Sequence, residues 1–117
     1  MFLKLAHTNM DVFQCSRRLV LSVYRLTKSF PDAERFILVQ QIRRAVLSIH
    51  LNIAEGCSRK SMTERRRFYE ISRGSVIEVD TALDIAFELN YCNIDEMKPT
   101  GELIIKSFQM LSKLISE

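Results

Sequence analysis

Residues 38–72 read LVQQIRRAVLSIHLNIAEGCSRKSMTERRRFYEIS, and the fold turns on whether this stretch is one helix, two helices or a set of strands. Leu38, Ile42, Val46, Ile49 and Ile53 recur at three and four residues, the spacing of one helical face. Phe36, Leu47, Leu51 and Ala54 thicken that face, so the helix is apolar over most of its circumference. Asp32 can open it, and Gly56 is expected to end it by taking the left-handed conformation just past a helix C-terminus, giving a span of about Ala33 to Glu55. Ser61-Met62-Thr63-Glu64 then has the type and spacing of a capping box, which makes Ser61 the N-cap of a new helix. Only Cys57 to Lys60 separate the two, so they must lie side by side and antiparallel.

Working outward, Thr8-Asn9-Met10-Asp11 reads as the start of a first helix, with the Thr8 hydroxyl accepting a first-turn amide and Asp11 favouring the positive helix end. Val12, Cys15, Leu19, Val23, Leu26 and Phe30 carry its apolar face until Pro31 stops it. The third helix continues from Phe68 through Ile71, Ser75, Val79, Leu83 and Ala86 to about Asn90. NYCNIDEMKPTGE, residues 90–102, reads as a turn, followed by a fourth amphipathic helix carrying Leu103, Ile104, Phe108, Leu111, Leu114 and Ile115. The expectation is all-α: one domain over residues 1–117, an antiparallel up-down-up-down four-helix bundle. Surplus apolar residues on the second and fourth helices suggest that the bundle associates with copies of itself.

The composition agrees with that class. A chain of 117 residues, 47% hydrophobic and 26% charged, has the profile of an ordinary globular domain, and three Gly and two Pro leave few marks for tight hairpins. No uncharged apolar run reaches the ~20 residues of a membrane span, and MFLKLAHTNM lacks the pattern of a signal peptide, so a cytoplasmic protein without membrane contact is expected. Cys15, Cys57 and Cys92 never form a CxxC pair, and His7 and His50 have no neighbours at zinc spacing, so neither metal nor cofactor is expected. Charge is unevenly placed: residues 1–75 hold 14 Lys and Arg against 6 acids, and residues 76–117 hold 3 against 8. A basic half suggests a polyanionic partner, or subunits that set basic surface against acidic surface.

Two constellations could carry function. At 100° per residue Gln41, Arg44, Ser48, Asn52 and Glu55 form a narrow polar stripe on the second helix, and the short turn brings Ser75 and Glu78 opposite it. No positioned base accompanies Ser48, and Glu55 has no second carboxylate on its face, so a structural polar network between helices is expected rather than catalysis. The second constellation is RKSMTERRRF, residues 59–68, where Arg59, Lys60, Arg65, Arg66 and Arg67 crowd a helix N-terminus. Cations there oppose the helix dipole, whereas an external phosphate would gain from both side chains and free amides. Arg43 and Arg73 could extend this surface, as could Arg17, Arg18 and Arg44. With few aromatics interleaved, it suits backbone contact to structured RNA or DNA. Arg44 to His50 also matches the loose R-x4-6-H pattern of HEPN-type ribonucleases, a match that chance readily supplies in an Arg-rich chain.

The run QQIRRAVLSIHLNIAEGCSRKSMTERRRFYEISRGSVIEVDTALDIA, Gln40 to Ala86, resembles the bacterial four-helix-bundle family called 23S rRNA intervening sequence proteins. Asn52-Ile53-Ala54-Glu55-Gly56 is its most specific segment, with Phe30-Pro31, Gly74-Ser75 and Glu78 as support. The resemblance implies a homo-oligomer, a ring-like pentamer, with some members encoded inside insertions in large-subunit ribosomal RNA genes. It also implies nucleic-acid binding, by analogy with similarly built accessory proteins of diversity-generating retroelements. His50 departs from the family pattern, in which Pro is common at that position, so a straighter second helix is expected. The resulting expectation is a non-enzymatic homo-oligomeric bundle presenting its Arg-rich turn to nucleic acid. The alternatives are an assembly module without nucleic acid and a HEPN-like ribonuclease.

Overall fold

The computed structural model describes residues 2–117 and is helical throughout, with α1 over Asp11–Thr27, α2 over Leu38–Ser58, α3 over Met62–Glu88 and α4 over Ile94–Ser116. Single 3-10 turns at Ala6–Asn9 and Asp32–Glu34 precede α1 and α2. Each helix packs on two others: α1 on α2 and α4, and α3 on α2 and α4, while the diagonal pairs stay apart. Short connections make successive helices antiparallel, and the result is an up-down-up-down four-helix bundle measuring 44 × 29 × 24 Å.

Leu19 and Val23 from α1, Ile42, Val46, Ile49 and Ile53 from α2, Val76 and Val79 from α3 and Leu111 from α4 fill the centre and are essentially inaccessible to water. The helix periodicity of the sequence therefore marks the core on α1 and α2, whereas on α3 Tyr69, Ser72 and Val76 are buried while the expected Ile71 is exposed, and on α4 the expected Phe108 is exposed. α4 contributes least, through one fully buried Leu111 flanked by the partly buried Leu103, Ile104, Leu114 and Ile115.

Helix ends depart from the sequence expectations at five places, one of them the end of α1, which stops at Thr27 instead of running on through Phe30 to Pro31. Thr8 is not an N-cap: α1 begins three residues later at Asp11, and the Thr8 hydroxyl donates to the Leu5 carbonyl inside the first 3-10 turn, where it is buried. α2 begins at Leu38 rather than Ala33, because residues 31–37 close i→i+3 bonds and Glu34 is held by the Tyr91 hydroxyl, which donates to its carboxylate at 2.7 Å. Gly56 does not end α2. It lies inside the helix, without the positive φ expected of it, and α2 runs on to Ser58 before Arg59 turns extended. α4 begins at Ile94, well ahead of the expected Leu103. Asn93 and Glu96 form a reciprocal capping box, and Pro99 costs only the amide that would bond Asp95, whose carbonyl lies in an exposed part of the helix.

At the two ends of α3 local contacts explain the boundary directly. Ser61 caps α3, its hydroxyl accepting the Glu64 amide at 3.1 Å. α3 closes with Asn90 at φ 63°, while the amides of Asn90 and Tyr91 reach back to the carbonyls of Phe87 and Ala86. This is the paired-bond C-terminal motif in which Asn substitutes for Gly.

Candidate nucleic-acid interface

The α2–α3 turn is built around Arg59. Its guanidinium donates to the Glu55 carboxylate at 3.0 Å and lies 4.8 Å from the centre of the Phe68 ring. A carboxylate in the last turn of a helix is unfavourable by roughly 0.3–1 kcal/mol, and this cation one turn on offsets it. Arg65 in turn donates through Nε to the Arg59 carbonyl at 2.7 Å, which holds the turn against the first residues of α3. Arg66 donates to the backbone oxygen of Glu117 at the end of α4, while Lys60 and Arg67 project into solvent.

Arg73 and Arg43, also named from the sequence, lie elsewhere. Arg73 sits against α4, donating to the Ser112 hydroxyl at 3.2 Å beside the Phe108 ring. Arg43 belongs to the opposite end of the bundle, about 24 Å along α2 from Arg59 at 1.5 Å per residue. There it donates to the Thr27 hydroxyl and the Tyr24 carbonyl, closing the C-terminal turn of α1, and its guanidinium stacks 4.5 Å from the Tyr24 ring. The structure therefore gathers Arg59, Lys60, Arg65, Arg66 and Arg67 at one end and sets Arg73 and Arg43 apart.

Between α2 and α3 the polar stripe forms two separate hydrogen-bonded groups. The Gln41 amide donates to the Glu78 carboxylate, the Ser75 hydroxyl donates to that of Ser48 at 2.9 Å, and Asn52 donates back to the Ser48 carbonyl and hydroxyl. Arg44 stands outside both groups, exposed in a groove with Tyr24, Phe36 and Leu47, and Glu55 joins the turn through Arg59 instead. The buried Ser72, unremarked as a hydrogen-bonding residue in the sequence, donates to the Ile49 carbonyl at 2.8 Å. Small hydroxyl residues thus let α2 and α3 approach closely while leaving no buried hydroxyl of this seam without a hydrogen-bond partner.

His50 projects about 120° away from Arg44 on α2 and faces α1. Its Nδ1 lies 2.6 Å from the Ser16 hydroxyl, which itself donates to the Phe13 carbonyl, so the hydroxyl accepts from Nδ1–H. Its ring stacks on Phe13 at 4.2 Å, and His7 also packs against Phe13 in an edge-type contact at 4.7 Å. Burial first, then the charges of Arg17 and His7, hold the His50 pKa below its ordinary value of 6.5. The unfolded chain then binds the proton more readily. The stability associated with neutral His50 is present above pH 6.5 and is lost as pH falls from there through the lower folded-state value. Thermal melts of wild type and His50→Gln across pH 7.5 to about 5 check this: the wild type loses more stability, and parallel curves would contradict it.

Other contacts lie between helices that the sequence gave no means of pairing. Ser22 and Thr100 share a 2.6 Å hydrogen bond between α1 and α4, and the buried Cys15 thiol lies 3.4 Å from the Ser107 hydroxyl. Cys15, Cys57 and Cys92 are free thiols. Among the described residues no group of three His, Cys, Asp or Glu side chains is arranged to hold a metal ion, and no helix is long and apolar enough to cross a membrane.

Comparison with known proteins fixes the relationship. The 23S rRNA-intervening sequence protein family matches over residues 8–113, nearly the full length. Among solved structures the fold is similar to a crystal structure from Bacteroides thetaiotaomicron VPI-5482, described as a protein with unknown function from the S23 ribosomal protein family. The TM-score is 0.81 at 17% identity, covering 91% of this chain and 99% of that one. No curated protein sequence matches. With the bundle, the Asn52–Gly56 segment and the α2–α3 pairing all in place, the chain belongs to the 23S rRNA-intervening sequence protein family.

Proposed function

We propose that this protein is a non-enzymatic, cytoplasmic homo-oligomer that binds the backbone of structured RNA or DNA through Arg59, Lys60, Arg65, Arg66 and Arg67. The observation that carries the reading is the shortage of ion pairs. The chain has 17 Lys and Arg and 14 acids, yet among the described residues Arg59–Glu55 is the one ion pair. Arg65 is held by a neutral carbonyl, which orients the side chain without compensating its charge. Such a surface attracts phosphate by counterion release and positions without reading sequence. The family's name, which refers to 23S rRNA, supports RNA as the partner.

Binding of a labelled RNA hairpin is expected to weaken steeply with salt. Replacing Arg65, Arg66 and Arg67 together by Ala should reduce the log–log salt slope by ~2 to 3 units. A triple variant that binds with the wild-type slope would overturn the assignment.

A second reading draws on a different observation. Ile77 and Ile85 on α3 are exposed, and α3 and the start of α4 carry most of the acidic residues. A pure assembly module would set the acidic surface of α3 and α4 against the basic half of a neighbouring copy. A pentamer, which the family resemblance implies, is one such closed arrangement. Salt would then dissociate the oligomer while hairpin RNA stayed unbound at every salt concentration.

A further inference from the structure

The end of the bundle opposite the Arg-rich turn carries a cluster that the linear sequence conceals. Tyr24 from α1, Arg35 and Phe36 from the α1–α2 connection, and Arg43 and Arg44 from α2 line one groove of about 360 Å³. Lys28 borders it alongside Tyr24 and Arg43. None of the described residues lining the groove is acidic. Each of its two aromatic rings is already in contact with a guanidinium, Arg43 over Tyr24 at 4.5 Å and Arg35 over Phe36 at 5.4 Å. Arg43 is fixed by its bonds to Thr27 and Tyr24, so the Tyr24 side of the groove is preorganised. Phe36, by contrast, is 76% exposed, although burial of a phenyl ring is favourable.

We propose that this groove binds single-stranded RNA or DNA, with a base stacked on Phe36 beside Tyr24 and the flanking phosphates held by Lys28, Arg35 and Arg44. Aromatic faces interleaved with cations, free of carboxylates, are what a sequence-tolerant single-strand site requires. The proposal deepens the nucleic-acid reading above and rests on it, but assigns a different surface and a different strand form.

The test uses the whole chain, a fluorescein-labelled poly-uridine strand and a labelled RNA hairpin, read by anisotropy. Phe36→Ala should weaken poly-uridine binding by about 5- to 100-fold and leave hairpin binding unchanged, while Phe36→Tyr should retain both. Phe36 is exposed, so these changes spare the core. The chain has no Trp, so Phe36→Trp adds a unique fluorophore whose emission a stacked base should quench. Equal poly-uridine affinity in wild type and Phe36→Ala would overturn the proposal, as would poly-uridine binding without quenching. If the hairpin binds and poly-uridine does not, the groove assignment fails and the backbone reading stands; if neither binds, both fail. A Phe36→Ala variant that binds poly-uridine normally but lowers the mass by light scattering would show that a second copy covers the groove, which also overturns it.

Discussion

Gly56→Val should destabilise the protein by about 3 kcal/mol, in the upper range for overpacking a tight interface. A Cβ placed on Gly56 would lie 2.7 Å from Cε1 and 3.0 Å from Cδ1 of the Tyr69 ring, and 3.1 Å from the Phe68 Cβ. The Tyr69 ring is buried and cannot simply swing aside, and the Phe68 Cβ moves only with the α3 backbone. Gly56 therefore sits at a close approach of α2 and α3 just before the turn. Gly74 in mid-α3 is the matching control: a Cβ there meets nothing within 4 Å, so Gly74→Ala should stabilise by roughly 0.5–1 kcal/mol through helix propensity. A double-mutant cycle with Tyr69→Leu separates the explanations for Gly56. Steric contact makes the Gly56→Val penalty smaller by at least ~1 kcal/mol in the Tyr69→Leu background, whereas a requirement for left-handed backbone would make it equal in both.

Ile53→Ala should cost about 2–5 kcal/mol, the loss of buried methyl groups plus the cavity they leave. Ile53 is 0% exposed at the C-terminal end of the α2 stripe, whereas Leu51 is 59% exposed on the outer side of the same helix. Leu51→Ala should change the stability of the chain's own fold by no more than about 0.5 kcal/mol. Against a total of about 5–15 kcal/mol for a natural domain, the first substitution removes a large share and the second almost none. Urea unfolding of both variants checks this, and comparable losses would contradict the assignment of the α2 faces. A drop in oligomer mass for Leu51→Ala would place that residue in an interface between copies.

The core and the bundle were legible because helical periodicity is a local property that close packing then reinforces. Ile42, Ile49 and Ile53 are recognisable from spacing alone, and the short turn sets the α2–α3 register closely enough to bring Gln41 to Glu78. The same register argument placed Arg44 opposite α3, but Arg44 lies on the outer edge of its helix and Ser48 makes the contact with Ser75. Helix ends were harder to read, because several residue types serve two purposes. A Gly near a helix end can supply a left-handed residue or a close approach, and Gly56 supplies the second. Thr8 can cap or can bond its own turn. Pro99 usually marks a break, yet near the start of α4 it removes only one exposed bond.

The basic residues show the same limit more sharply. Adjacency in the sequence brings Arg65, Arg66 and Arg67 together, but only the tertiary fold places Arg43 over Tyr24, or Arg35 and Phe36 beside both. His50 and Ser16, 34 residues apart, likewise meet only through α1–α2 packing. No periodicity marks such pairs, since each member alone reads as an ordinary polar residue on a helix.

The most direct test of the account is size-exclusion chromatography with light scattering, with and without a structured fragment of large-subunit ribosomal RNA at low salt. A multiple of the 13.6 kDa chain mass, increasing on addition of RNA and returning to its starting value at high salt, is the predicted result. A 13.6 kDa species, or an oligomer whose mass RNA leaves unchanged at low salt, would contradict it.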